Sequence, residues 1–249
     1  MTGEFKGSRK HVLDLISEPD CIPRLNALLR LSKAQYGVIS KTDAWKPNSR
    51  EINKEWEIEP FCLAHCAGWF DASKITDWWL PKQEARIRGA TWDLLSTCAV
   101  NGRRGLLLVE AKAHEGELGR KGKAMPSGSL QSDLNDRQIR SRLSEVTKGL
   151  RAGGRLNVKL NADSHYQLAN RIAWAWKLAE VGMPVILLYL GFLGDTYFKD
   201  YLRDRDHWQR TMGSYMEGIV PLSLPESVIE GKAGGSFTLM IRSLDVAPS

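Results

Sequence analysis

Two apolar runs joined by Asn-Gly constrain this chain more than any other feature. Residues 90–100 read ATWDLLSTCAV, residues 103–113 read RRGLLLVEAKA, and Asn101-Gly102 lies between them. Asn-Gly is the strongest two-residue hairpin signal, because a type I′ turn needs positive φ at both central positions. The spacing predicts an antiparallel hairpin in which Val100 faces Arg103. That register sets Asp93 opposite Glu110, with Cβ atoms about 4.5–5.5 Å apart. Lys112, two residues beyond Glu110, points to the same face. A longer turn through Arg103-Arg104-Gly105 would shift the facing pair by one residue.

Like charges opposed across a ladder are destabilising unless something offsets them. A divalent cation would do so, and carboxylate oxygens suit Mg²⁺ or Mn²⁺ rather than zinc. Lys112 would then supply positive charge where a phosphate develops negative charge in a transition state. Leu106–Val109 read as a buried strand that ends abruptly in polar residues, the place where sites on α/β sheets usually lie. The plain alternative is an exposed Glu110–Lys112 pair with Asp93 as a solvated neighbour.

Elsewhere the pattern alternates between helix and strand. Ile22, Leu25, Leu28 and Leu29 share one helical face after Asp20, a candidate cap. Residues 61–80 are compatible with a helix. Residues 119–130, GRKGKAMPSGSL, are loop-like. Ile139, Leu143, Val146 and Leu150 make the apolar stripe of a helix over 132–150. A helix over 165–181 opens with Ser164 and Gln167 as a capping box, presents Leu168, Ile172, Ala175, Trp176 and Ala179 to the core, and stops at Gly182. PVILLYLGFL at 184–193 has the make-up of a fully buried strand. Residues 196–217 predict another amphipathic helix, and 236–244 a late edge strand. These elements predict an α/β fold with a central mixed sheet, a single domain over 1–249 whose core is 84–193, with 1–60 and 196–249 as elaborations.

Charge is concentrated. The 249 residues carry a formal +6, and residues 119–155, with nine Lys/Arg against Asp133, Asp136 and Glu145, account for all of it. Such a stretch suggests a polyanion partner, nucleic acid above all, or else a solvated helix face. A 43% hydrophobic, 26% charged composition excludes a disordered or fibrous chain. No apolar run approaches the ~20 residues a bilayer needs, and the N-terminus lacks a signal-peptide core. A cytoplasmic protein with free thiols at Cys21, Cys62, Cys66 and Cys98 is the expectation.

Asp93 followed by Glu110-Ala111-Lys112, then a helix starting His165-Tyr166-Gln167 and a buried strand, resembles the PD-(D/E)XK nuclease superfamily, whose fold is restriction-endonuclease-like. The likeness covers about residues 84–193. It implies a Mg²⁺- or Mn²⁺-dependent endodeoxyribonuclease. Asp93, Glu110 and the Ala111 carbonyl would hold the metal, and Lys112 would position or polarise the attacking water. Gln167 matches a glutamine that often lines the site. A further acid is frequent upstream, and Glu55, Glu57, Glu59 and Glu84 are all candidates. Trp92 stands where many members have Pro. DNA is the expected partner, met by Arg120, Lys121, Lys123, Arg137, Arg140 and Arg171, and a homodimer is compatible with cutting both strands. Asn170, Arg171 and Trp174 share the Gln167 face, as a substrate-facing stripe or a solvated one. The rival readings are a nuclease-like module that binds nucleic acid without cutting it, and a nuclease acting on RNA or structured DNA.

Other signals are weaker. Cys62, His65 and Cys66 lack the second half of a four-ligand zinc site. His114 reads as a substrate contact or a solvated loop residue. Trp78 and Trp79 could stack on bases, although most of the nine tryptophans are expected in the core.

Overall fold

A computed structural model describes residues 5–49, 55–80, 90–152 and 156–246. Glu84, one of the candidate acids, and Arg155, the last cation of the basic stretch, lie outside them. Helices α1 (Gly7–Ser17) and α2 (Cys21–Leu28) come first. Short strands β1 (Arg30–Leu31), β2 (Ala34–Gln35), β3 (Gly37–Val38), β4 (Trp45–Lys46) and β5 (Trp56–Glu57) lead to α3 (Ile58–His65). Strands β6 (Thr91–Trp92), β7 (Leu94–Val100) and β8 (Arg103–Lys112) follow, then α4 (Leu130–Arg151), α5 (Tyr166–Glu180), β9 (Pro184–Leu193), α6 (Arg205–Met216), β10 (Val228–Glu230) and β11 (Ser236–Asp245).

The predicted hairpin forms in the predicted register. Asn101 and Gly102 both have positive φ, +46° and +75°. Strands β7 and β8 pair from Val100 opposite Arg103 to Leu94 opposite Val109. The ladder ends there: Asp93 is a bend between β6 and β7, one residue beyond the last pair, and its carboxylate, close enough to Glu110 to feel its charge, accepts from the Ala111 amide.

The main sheet runs β10-β11-β9-β8-β7-β3, with β4 also on the outer edge of β7. Strands β8, β9 and β11 are mutually parallel, and the rest are antiparallel, so the sheet is mixed. Helices cover both faces. Alternate β9 residues go to opposite cores: Val185, Leu187 and Tyr189 pack with α4, α5 and α6, whereas Ile186, Leu188 and Leu190 pack with α1 and α2. That double coverage is why 184–193 is apolar at every position.

Several sequence expectations shift. Strand β11 is an edge over only part of its length, because β10 pairs with Ser236–Thr238. The helix expected over 196–217 starts at Arg205, where the Asp204 carboxylate accepts from the His207 amide at 2.7 Å; Phe198 precedes it, stacked on His114 at 4.0 Å. Strands β3 and β4 from the first 60 residues, and β11 from the last 50, belong to the same sheet as the hairpin. Trp78 and Trp79 are buried, at 5% and 2% exposure, so neither presents an open stacking face at the surface.

The Ser164–Gln167 capping box does not form. Helix α5 begins after His165, held in a left-handed conformation at φ +49°. The Ser164 amide, which Gln167 would have satisfied, is taken elsewhere, as are those of its neighbours. His165 and Tyr166 donate to the Arg120 and Lys121 carbonyls, and Asp163 and Ser164 donate to Asn161 Oδ1. Gln167 is therefore released from the helix end, and it faces the site described next.

Candidate active site

The C-terminal end of β8 opens into a cleft of about 350 Å³. Asp93, Glu110, Lys112, Gln167 and Arg171 line it together with Glu55, Thr91, Ser8 and Glu117. Glu110 and Lys112 from one face of β8, Asp93 from the bend before β7 and two residues from α5 thus converge, the last because Gln167 and Arg171 are four apart on a helix.

Glu110 and Lys112 are almost fully buried, at 1% and 4% exposure. Lys112 Nζ donates to Glu110 Oε1 at 2.5 Å, and Arg171 Nε donates to Oε2 at 2.6 Å. The Arg171 guanidinium also lies 4.5 Å from the Trp92 ring centre and donates to Asn170 Oδ1. Burial works against ionisation of Glu110, but Arg171 and Lys112 outweigh it and hold the carboxyl below its usual range. Asp93 is half-buried, and its Oδ2 accepts from the Ala111 amide at 2.8 Å. Desolvation, then the nearby Glu110 charge, push its pKa up to about 7. In a strand, N–H and C=O of one residue point to the same neighbour. The Ala111 carbonyl is accordingly turned towards Asp93.

The structure corrects one step of the sequence argument. Arg171 and Lys112 already neutralise Glu110, so the facing carboxylates do not by themselves demand a cation. Among the described residues no group of three or more His, Cys, Asp or Glu is arranged as a ready metal cage. The donor chemistry nonetheless suits a hard cation. The cleft is lined by four carboxyl groups (Glu55, Asp93, Glu110, Glu117) and two cations, with Arg9 near enough to act on Asp93 and Glu55, and desolvation still holds Asp93 above its usual range.

Of the upstream acids, Glu55 lines the cleft, hydrogen-bonded by the Thr91 hydroxyl. Glu57 sits in β5 and Glu59 is buried in α3. Arg171, expected to meet nucleic acid, is instead 9% exposed and bound to Glu110; Asn170 and Trp174 are buried too, so the stripe is not a solvated one.

The basic segment is largely occupied. Asp136 binds Lys123 and Arg140, and Asp163 binds Arg140 as well. Arg142 is held by Glu145 and the Trp78 carbonyl, Arg151 by the Val158 carbonyl, and Arg120 by Ser214. Lys121, Arg137 and Lys148 are exposed and have no such partner among the described residues.

Sequence reasoning missed the contribution of α1. Glu117 Oε1 accepts from the Ser8 amide and hydroxyl, and Oε2 accepts from the Ala113 amide, which fastens the first turn of α1 to the end of β8. Arg9 follows, its two terminal nitrogens buried without a hydrogen-bond partner. Nothing in GSRKHVLDLIS announces that placement, since it depends on a carboxylate more than a hundred residues away.

Comparisons with family models, with curated proteins and with solved structures return no match for this chain.

The Asp93 geometry has a measurable consequence. An unfolded aspartate titrates near 3.9. A native group that keeps its proton to about pH 7 gives stability that is complete below pH 4 and lost as pH rises towards 7. Asp93→Asn cannot ionise. It is expected to melt above wild type at pH 8 in EDTA, with the difference shrinking towards pH 4. A gap of the same size at both pH values would contradict a proton held on Asp93.

Proposed function

We propose that this chain is a metal-dependent nuclease of the restriction-endonuclease-like type that hydrolyses phosphodiester bonds in DNA. One observation carries the reading: Asp93, Glu110 and Lys112 meet at the end of a buried strand, lining a single cleft. The resemblance of that trio to the PD-(D/E)XK pattern supplies the reaction.

Asp93, Glu110 and the Ala111 carbonyl would hold Mg²⁺ or Mn²⁺. When bound, such an ion lowers the pKa of a water and neutralises charge on the phosphate. The chain's own residues set the conditions. Asp93 gives up its proton. Glu110 shares or exchanges one of its two cationic partners, which frees Arg171 or Lys112 to face a phosphate. Lys112, its hydrocarbon stem buried against the sheet, orients the attacking water. Gln167 borders the substrate.

The test is incubation of supercoiled plasmid with the protein and Mg²⁺ or Mn²⁺, beside EDTA and Lys112→Met. Nicking or linearisation by wild type that is lost in both controls supports the reading. Absence of cleavage on plasmid, single strands and RNA, with retained binding, overturns it in favour of a non-cutting module.

Binding has its own signature. Each phosphate contact contributes close to one to the salt slope of affinity. The double variant Lys121→Glu/Arg137→Glu is expected to lower that slope by roughly two. Arg140→Ala, whose guanidinium is already held by Asp136 and Asp163, is expected to change it little. Equal slopes for all three proteins, read by fluorescence anisotropy, would remove the segment from the interface.

A further inference from the structure

Beside the cleft lies a second hollow, of about 260 Å³. Trp79, Leu80 and Tyr166 form its mainly apolar side, and it shares Thr91, Gln167 and Arg171 with the cleft. The two spaces therefore adjoin along these three residues, a charged one on one side and an aromatic one on the other. The hollow is smaller than the ~300–1,000 Å³ of pockets that take drug-sized ligands. Its size suits one flat ring system rather than the end of a duplex.

The polar groups at the boundary are unevenly used. Asn170 Oδ1 is taken by Arg171, and Arg171 Nε by Glu110. Gln167 Oε1 is buried and has no hydrogen-bond partner. A buried amide oxygen without a donor is costly; this one sits beside Gly119, on a side chain that borders both spaces and caps no helix end. Tyr166 stays a neutral aromatic wall, because burial pushes its hydroxyl up to about 12. A glutamine amide beside an aromatic surface matches a heteroaromatic ring that carries an exocyclic amino group: stacking on one side, donation to Oε1 on the other.

We propose that this hollow binds an unpaired nucleobase bearing an exocyclic amino group (adenine, cytosine or guanine, as against thymine) from the nucleotide next to the phosphate in the charged cleft. The inference rests on the polynucleotide part of the function proposed above. A base can enter only from single-stranded, bulged or flipped nucleic acid, since paired and stacked bases are inaccessible. The favoured substrate is then DNA with an unpaired nucleotide beside the scissile bond. Aromatic stacking sets affinity for any base, and Gln167 sets the choice among bases.

The probes are labelled 12-mers of dA, of dT and of abasic sites, with a matched duplex. Affinity is read by anisotropy in EDTA at low salt, and cleavage in parallel with Mg²⁺. Wild type is expected to bind dA about tenfold more tightly than the abasic strand, with dT between them and the duplex weakest. Tyr166→Phe is expected to keep the base preference and Tyr166→Leu to lose it. Gln167→Met is expected to erase the dA-over-dT difference while keeping dT above abasic. Equal wild-type affinity for base-bearing and abasic strands overturns the pocket, whatever the variants do. A wild-type preference unchanged by Tyr166→Leu overturns it as well. Cleavage without base preference defeats only this inference. Base preference without cleavage defeats only the nuclease reaction.

Discussion

Lys112→Met is expected to cut the rate of Mg²⁺-dependent plasmid nicking by between about a hundredfold and a thousandfold, the cost of removing one donor aimed at developing charge. Methionine keeps most of the hydrocarbon stem, so the packing at this 4% exposed position is largely kept. Glu110 keeps Arg171 as its cation and stays ionised. The substitution therefore deletes a positive head without stranding its partner. DNA affinity, which the exposed lysine and arginine of the 119–151 segment would set, is expected to change by no more than a few-fold. A variant that binds normally and cuts slowly places Lys112 in the reaction. A variant that loses both in equal measure shows that the Glu110–Lys112 pair holds the cleft together and does nothing chemical. Undiminished cutting would move the active site elsewhere.

The hairpin was legible because both of its determinants are local. Asn101-Gly102 fixes the turn, and counting from it gives the register as far as Leu94 with Val109; Asp93, one residue further, leaves the ladder in a bend and reaches the Ala111 amide instead. The buried strand at 184–193 was legible from composition alone. What could not be read were the partners brought in by tertiary packing. Arg171 sits on a helix whose polar stripe was visible, yet its bond to Glu110 depends on how α5 lies across β8. The N-terminus of α5 departs from the capping box that the Ser164–Gln167 spacing predicts, because Asn161 Oδ1 takes the Ser164 amide and the Arg120 and Lys121 carbonyls hold the His165 and Tyr166 amides beside it. Charge counting overestimated the free basic surface for a related reason: Asp136 and Asp163 are few in number but well placed, and each engages cations that the tally treated as available.

Arg171→Met is expected to have opposite effects on stability and on metal affinity. Removing one member of a buried ion pair commonly costs about 3–5 kcal/mol. Here the lower end applies, because Lys112 still neutralises Glu110 at 2.5 Å. The loss combines the freed Oε2 acceptor with the contact to Trp92. It is expected to show as a lower urea midpoint at an unchanged slope. Its pH dependence follows from Glu110. In wild type the depressed carboxyl pKa contributes stability at neutral pH that is lost as pH falls through it. With Arg171 gone that contribution shrinks, so the two proteins should converge in acid and differ most near neutrality. Mg²⁺ tests the other half. If Arg171 occupies the oxygen that a metal would use, the variant gains more stability from saturating Mg²⁺ than wild type does, by ligand linkage. A smaller gain would mean that Arg171 orients Glu110 for the ion instead of competing with it. An equal gain, with the midpoint lowered, would show that the ion does not use Glu110 and would remove that residue from the proposed metal site.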